Sequence, residues 1–546
     1  MAAVSLVAAI AFTWPLVLHL NSRARDLIDT LFQAWTIDWV QYALSHGMNP
    51  YDANIFAPEQ TSLAYSDTLM GVAIPMFPLR WLGMTPIGVL NVTIILGLAA
   101  SAAGAYVFAR LVTGSRLVAV VAGAAYAFGP FGALSERHVH VAVRAGVPLA
   151  AAAAWWLADR ARERRPIVWP GVALVAVVAW QATVSFYPAT YSVVAAFVVL
   201  LVRWRSLDRR GLIAGASALV AAAVVLALLA IPNLVVAGRD PSYEFTLDNF
   251  APFGANFFHT DPDVLVWGSV IGLDADDPLR LAVFPGLVVL VFAVGGLVHA
   301  WRRHGRARTA AITGLALTVV GAVLAIGTAS TGWRQYAPYR VLYELVPPFN
   351  ALRATGRAWM IGMLGLGLLA GLGVTAFAGW IAKRLPTRAR LVPGVVGTVV
   401  VLLVLLEGFD PWFDRPTARV PAVDRELAQR EPGGVVYLPL NTSDAVDIGY
   451  FQQPKNLYGA TEHHRRTPNG YSGYLPESYL RQSRALRALP DEDALALLRR
   501  IGVRYVVVHE DVAGTPWSSL RNPDAAAPLE LVGRYGPDLL YEVPRP

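Results

Sequence analysis

Cysteine is missing from all 546 residues, which excludes a disulfide framework, a thiol nucleophile and a thiolate metal centre. Charge is also scarce, at 15% of residues, against about 25% in a typical soluble domain. There is no phosphate-binding loop, no Rossmann glycine fingerprint and no zinc-ligand spacing, and there is no internal repeat. The common soluble enzyme classes drop out with these motifs. What the chain has in abundance is apolar surface: 55% of residues are hydrophobic and the mean hydropathy is +0.47. The net charge of +7 falls in short basic clusters between apolar runs, a placement that orients helices in a membrane and does not make a nucleic-acid surface.

This pattern predicts a mainly α protein: a polytopic transmembrane helical bundle of about eleven spans, followed by a small C-terminal α/β domain. The apolar runs cover 2–20, 87–108, 117–131, 141–157, 167–183, 189–202, 212–236, 284–300, 311–327, 359–381 and 391–406. The first run lacks a basic leader and a clear small-residue cleavage site, so it is read as a retained span and not as a cleaved signal peptide. Arg110/Arg116, Arg160/Arg162/Arg164/Arg165, Arg203/Arg205/Arg209/Arg210, Arg302/Arg303/Arg306/Arg308 and Lys383/Arg384/Arg388/Arg390 occupy alternate loops. Basic clusters in short loops mark the cytoplasmic side, so the N-terminus is expected inside a plasma membrane and the C-terminal domain outside. The bundle then covers 1–409, with external loops 21–86, 238–280 and 328–357, and the external domain covers 410–546. Within the first loop, 31–44 and 70–82 read as amphipathic interfacial helices. In the C-terminal domain the expected elements are strands at 434–438 and 504–509, a helix at 491–501 stopped by Gly502, and a terminal hairpin around Gly536-Pro537.

Candidate chemistry sits at the external ends of these spans. Asp29 precedes the apolar stretch that follows the first span. It is either a helix N-cap or a carboxylate that accepts a proton from a hydroxyl or helps to hold a divalent metal. Asp26 and Asp38 are expected to be solvated. Glu136, His138 and His140 stand in SERHVHV; alternate imidazoles of an extended turn face one site, where they bind a metal or phosphate oxygens, or else they simply bond to nearby backbone. Arg144 lies within an apolar run, where an arginine must snorkel or pair with an anion. Arg353 and Arg357 are four residues apart, a spacing that places both on one helix face, either as phosphate ligands or as headgroup anchors. Metal candidates are Asp29, Glu136 and His138, with Mg or Mn as the ion. Tyr471 and Tyr474 of NGYSGYLP are expected to face inward from the outer domain.

The segments DTLFQAWTIDWV, NPYDANIFAPEQTSLAYSD, SERHVHV, YRVLYELVPPFNALRATGRAW, NGYSGYLPESYL and GVRYVVVHE together resemble bacterial polytopic membrane proteins of the GT-C glycosyltransferase superfamily, in particular a group of glycosyltransferase-like membrane proteins. The resemblance implies an external active site, a sugar donor carried on a polyprenyl phosphate, and an acceptor hydroxyl on a lipid, glycan or protein. It maps the acidic residue after the first span onto Asp29. On charge and position, the donor phosphate is expected to meet Arg353, Arg357, Arg144, His138 and His140, and the acceptor side Tyr471 and Tyr474. Two departures from the superfamily pattern stand out. Asp26 and Asp29 are not adjacent, and the second acidic motif is represented by Glu136 with histidines. A single base implies an inverting transfer. The alternative from another class is a non-catalytic transport or assembly protein for envelope glycans. A transporter, however, places its polar groups at mid-membrane in repeated halves, and neither feature is visible here.

Overall fold

The computed structural model describes residues 2–135, 137–239, 254–273, 282–346, 349–441 and 448–545. Most of the acidic loop residues expected to be external, namely Glu244, Asp248, Asp274, Asp276 and Asp277, lie outside them, as does Glu136. The chain forms two compact units. One comprises Met1–His19, Val92–Leu229 and Phe245–Asp414; the other is built from Leu20–Asn91 and Arg415–Pro546 together with the Ile231–Arg239 helix.

The first unit is a helical bundle in an integral membrane protein. Among the described residues, six helical stretches are long and apolar enough to cross a membrane: Pro86–Thr113, Val139–Arg162, Phe186–Ser206, Arg209–Leu229, Arg306–Ile326 and Thr355–Arg384. Ala2–Phe12, Arg116–Phe128, Val168–Val184, Leu287–Trp301 and Val392–Gly408 are shorter apolar helices. The Trp359–Arg384 helix is buried along its first half, and small residues let its neighbours approach it closely. A methyl group at Gly321 would meet the backbone nitrogen of Gly362, and one at Gly373 would meet the carbonyl of Phe292. Close backbone approach replaces the hydrophobic drive that helices lack in lipid. Glu407 ties two helices together: its carboxylate accepts from the Leu287 and Val288 amides, each at 3.0 Å, and from the Trp267 indole at 3.0 Å. It thereby satisfies the first orphan N–H groups of the Leu287–Trp301 helix.

Several expected spans are interrupted. The 2–20 run is helical only over Ala2–Phe12 and then breaks into turns around Leu16–Leu18, because Pro15 lacks an N–H and restricts the residue before it. The 212–236 run divides into Arg209–Leu229 and Ile231–Arg239, with Pro232 in the first turn of the new helix, where its missing donor costs nothing. The 141–157 run opens with the short helix Val139–Ala142 and resumes as Gly146–Arg162. Non-helical backbone at that depth must find partners within the protein, and here side chains provide them. Gln181 accepts from the Gly146 amide at 2.9 Å and donates to the Val143 carbonyl at 2.9 Å. Ser101 donates to the Ala142 carbonyl at 2.9 Å and accepts from the Arg144 amide at 3.2 Å.

The second unit holds a four-stranded sheet in the order β1-β2-β4-β3. β1 (Gly434–Leu438) runs parallel to β2 (Val503–Val508), β2 is antiparallel to β4 (Asp538–Glu542), and β4 pairs antiparallel with β3 (Glu530–Tyr535) through the hairpin at Gly536. A parallel pair needs a long crossover, and the crossover here carries the helices Ile448–Gly459, Glu477–Ala485 and Glu492–Arg500. The last of these ends at Gly502, whose φ of +77° suits glycine. One sheet face buries Val435, Tyr437, Tyr505, Val507 and Leu540 against Val423 and Leu427.

The helix Asp29–Ser45 belongs to this unit and is not an amphipathic interfacial helix. Every residue from Thr30 to Gln41 is buried, and several of its polar groups are satisfied internally. Gln41 donates to the Ala73 carbonyl at 2.8 Å and the Trp39 indole to the Pro50 carbonyl at 2.9 Å. The 70–82 stretch forms two short helices, Met70–Ala73 and Phe77–Trp81. Aromatic and apolar residues spread around the whole helix circumference, and not along one stripe, mark burial.

Candidate active site

Asp29 is the first residue of its helix, and it is not the cap. That role falls to Asp26, which is not a solvated residue. Its Oδ1 accepts from the Ile28 amide at 2.8 Å and the Thr30 amide at 3.2 Å, and its Oδ2 accepts from the Thr30 hydroxyl at 2.9 Å. Asp29 is thereby released from capping. Its half-exposed carboxylate accepts a hydrogen bond from the Tyr471 hydroxyl at 2.9 Å. The Tyr471 ring is 9% exposed and lies against Phe32 and Tyr450, with centroids at 5.1 Å and 4.9 Å. Burial, followed by the Asp29 charge, pushes the Tyr471 phenol far above its usual range, so it remains a donor. Tyr474 is half-buried three residues further on, and its amide donates to Ser472 Oγ at 3.3 Å.

Asp38 also departs from the solvated expectation. It is 2% exposed and pairs with Arg80 at 2.7 Å and with His464 Nε2 at 2.7 Å. The His464 ring stacks flat on Tyr42, with centroids 3.7 Å apart. Between His464 and Tyr471 the chain pairs with the first loop. The Thr467 amide donates to the Asn54 carbonyl at 2.8 Å, the Phe56 amide to the Asn469 carbonyl at 2.9 Å, and the Ala57 amide to the Thr467 carbonyl at 2.9 Å. Two motifs that are remote in sequence, NPYDANIFAPEQ and the stretch leading into NGYSGY, thus form one structure. His463 faces the other way, into the sheet core, where it meets Tyr437 Oη at 3.0 Å and Asp424 Oδ1 at 3.3 Å. The His463-His464 doublet and the lone Asp38 amid tryptophans were the available sequence signals for these contacts.

The basic candidates lie in the bundle unit. His138 and His140 face each other nearly at right angles, with ring centroids 5.3 Å apart, and Arg357 is near enough for its charge to act on His140. The Arg357 guanidinium lies 4.5 Å from the Tyr187 ring centroid, and the Tyr187 hydroxyl accepts from the Ala354 amide at 3.2 Å. Arg353 and Arg357 do not share a helix face as their spacing predicted. Arg353 precedes the short 3-10 turn Thr355–Ala358, and the α-helix begins only at Trp359. Arg144 does not snorkel: it is fully buried and donates to the Val141 carbonyl at 3.0 Å and the Tyr126 carbonyl at 2.9 Å, beside the helix break.

Among the described residues, the carboxylates grouped closely enough for a cation are Asp261, Asp263 and Asp410, with ligand atoms within 4.8 Å of one another; of the expected metal set, Glu136 lies outside the described residues. Oxygen donors of this kind suit a hard divalent ion. Arg137 already bridges Asp261 at 3.0 Å and Asp263 at 3.4 Å and offsets part of their charge. Asp261 and Asp263 stand in the loop 238–280 and Asp410 just after the last apolar run, so no local spacing joins them.

No family model matches the chain, and no curated protein matches it. Solved structures do. A mutant of the arabinofuranosyltransferase AftD from Mycobacteria aligns with a TM-score of 0.61 at 14% identity, covering 100% of this chain and 41% of that one. AftD without the mutation gives 0.55 at 15% identity, covering 100% and 39%. The oligosaccharyltransferase of Archaeoglobus fulgidus in its apo form gives 0.51 at 10% identity, covering 100% and 74%. The chain therefore spans about two fifths of the AftD length. These are GT-C glycosyltransferases, and the chain has their fold.

Proposed function

We propose that the protein is a membrane glycosyltransferase that moves a sugar from a polyprenyl-phosphate donor to a hydroxyl of a lipid, glycan or protein at the outer face of the plasma membrane. The observation that carries this reading is Asp29. It is an accessible carboxylate at a helix start, relieved of capping by Asp26 and held by Tyr471, in a chain with the GT-C fold. Asp29 acts as the base on the acceptor hydroxyl. Arg357 with His138 and His140, and Arg353 four residues before Arg357, take the donor phosphate, whose negative charge grows as the sugar leaves. Arg144 keeps the backbone at 141–146 in place for the histidines just before it. Attack by the acceptor on the face opposite the phosphate inverts the anomeric carbon. Asp261, Asp263 and Asp410 would hold a divalent ion, which would supply positive charge toward the phosphate. Purified protein should transfer label from radiolabelled polyprenyl-phosphate sugars to an acceptor. A complete lack of transfer across a panel of such donors, in protein that binds them, would point to the transport or assembly alternative.

Two further results are expected. Replacing Arg357 with Gln keeps hydrogen bonding but removes charge, so donor affinity should weaken by about 1.5–3 kcal/mol, the worth of a charge-assisted hydrogen bond. Unchanged binding in Arg357→Gln and Arg353→Gln alike would return both to headgroup anchoring. The arginine clusters place the basic loops in the cytoplasm and the C-terminal domain outside. Reporter fusions after Arg308 and at Pro546 should therefore give opposite signals, and matching signals would reject this topology.

A further inference from the structure

We propose that Tyr471 is a positioning residue for the transfer reaction: its hydroxyl fixes the orientation of the Asp29 carboxylate and stabilises the ionised form. The proposal rests on the transfer reading above and assigns a role to a specific side chain within it.

A carboxylate at the first position of a helix turns about two torsions, and its partners set its plane. Here the hydrogen bond from Tyr471 to Oδ1 holds its plane. The donor itself is held rigidly, because the Tyr471 ring is clamped by Phe32, one turn along from Asp29, and by Tyr450. On one side of Tyr471, Gly470 is seated so closely on the Phe56 ring that a methyl group would collide with it. On the other side, the Ser472 hydroxyl donates to the Tyr65 carbonyl at 2.6 Å. The strap stays in place by contacts on both flanks, so the phenol oxygen is not needed to anchor it. That oxygen meets the Asp29 carboxylate at 2.9 Å and also hydrogen-bonds the Tyr450 side chain.

The chemistry balances without Tyr471 giving up its proton. The acceptor O–H bond breaks and its proton passes to the Asp29 carboxylate. The acceptor oxygen uses the freed electron pair to bond the anomeric carbon, and the carbon–oxygen bond to the phosphate breaks with its pair leaving on the polyprenyl phosphate. A hydrogen bond to the ionised carboxylate favours that form at neutral pH. It also keeps the base within the narrow alignment that proton transfer requires.

The test is a double-mutant cycle in full-length protein. Tyr471→Phe removes one oxygen and retains the ring contacts. It should lower kcat by about ten- to a hundredfold, with KM for donor and acceptor within about twofold, and it should add less than about twofold in an Asp29→Asn background. In substrate-free protein, 3-fluorotyrosine at position 471 should shift its fluorine resonance when Asp29 becomes Asn. Wild-type kcat in Tyr471→Phe, a loss confined to KM, or a full multiplicative loss on top of Asp29→Asn would each overturn the proposal. An inactive Asp29→Asn with a fully active Tyr471→Phe would sink this inference alone. Full activity in Asp29→Asn would sink the base assignment, and this inference with it.

Discussion

Asp29→Asn is expected to reduce sugar transfer by roughly 10²–10⁴-fold, the usual worth of a positioned general base, without lowering the melting temperature. The structure explains why activity and stability should separate. The helix start is capped by Asp26, through the Ile28 and Thr30 amides, so nothing in the cap is lost. The amide oxygen of an asparagine can still accept from Tyr471, so the local geometry is retained while the basicity disappears. Asp26→Asn should leave turnover far less affected, because that side chain is engaged with backbone. The measurement is transfer by purified variants compared at matched folded fractions. Near-complete activity in Asp29→Asn would remove the residue from the mechanism.

Asp38→Ala should show the reverse pattern: a large loss of stability. Asp38 is nearly fully buried and serves both Arg80 and His464, each at 2.7 Å. Breaking such a pair strands a charge, which costs about 3–5 kcal/mol in buried sites. Arg80 keeps about a third of its side chain in solvent, so the lower end, about 3 kcal/mol, is expected. For a unit of this size that corresponds to an apparent melting shift of roughly 6–12 °C. Thermal denaturation in detergent, followed by the near-ultraviolet signal of Tyr42 and the surrounding tryptophans, would register it. An unchanged melt would mean that water replaces the carboxylate without cost.

The two aspartates illustrate what could be read from sequence. Both stand in DTLFQAWTIDWV, and pattern alone favoured Asp29 for its position after the first apolar run. Asp38 was expected in solvent because its partners Arg80 and His464 lie 42 and 426 residues away, and no local periodicity reports such pairs. The strands Gly434–Leu438 and Val503–Val508, the helix Glu492–Arg500 and the terminal hairpin were legible, since β-branched runs, charged helix ends and glycine stops are local signals. The break between Val139–Ala142 and Gly146–Arg162 was not legible. Nothing in VAVRAGV signals it, because the groups that make it tolerable are Gln181 and Ser101 on other helices. The shared-face reading of Arg353 and Arg357 failed for a related reason. Helical spacing constrains residues only where a helix exists, and there the chain takes a 3-10 turn.

The composite second unit has a consequence for the order of events in the cell. Its first contribution ends at Asn91 and its last begins at Arg415, roughly 320 residues apart. At about 5–20 residues per second of synthesis, the helix bearing Asp29 waits for at least a quarter of a minute before the chain that completes its surroundings exists. During that interval its buried faces, with Trp35 and Trp39 among them, have no sheet domain to close on. Tyr471 comes later still, so every nascent chain for a time carries an Asp29 carboxylate that lacks its Tyr471 donor. Synthesis of the segment that carries Tyr471, more than insertion of the helices, is then the step that brings the Asp29 carboxylate its donor.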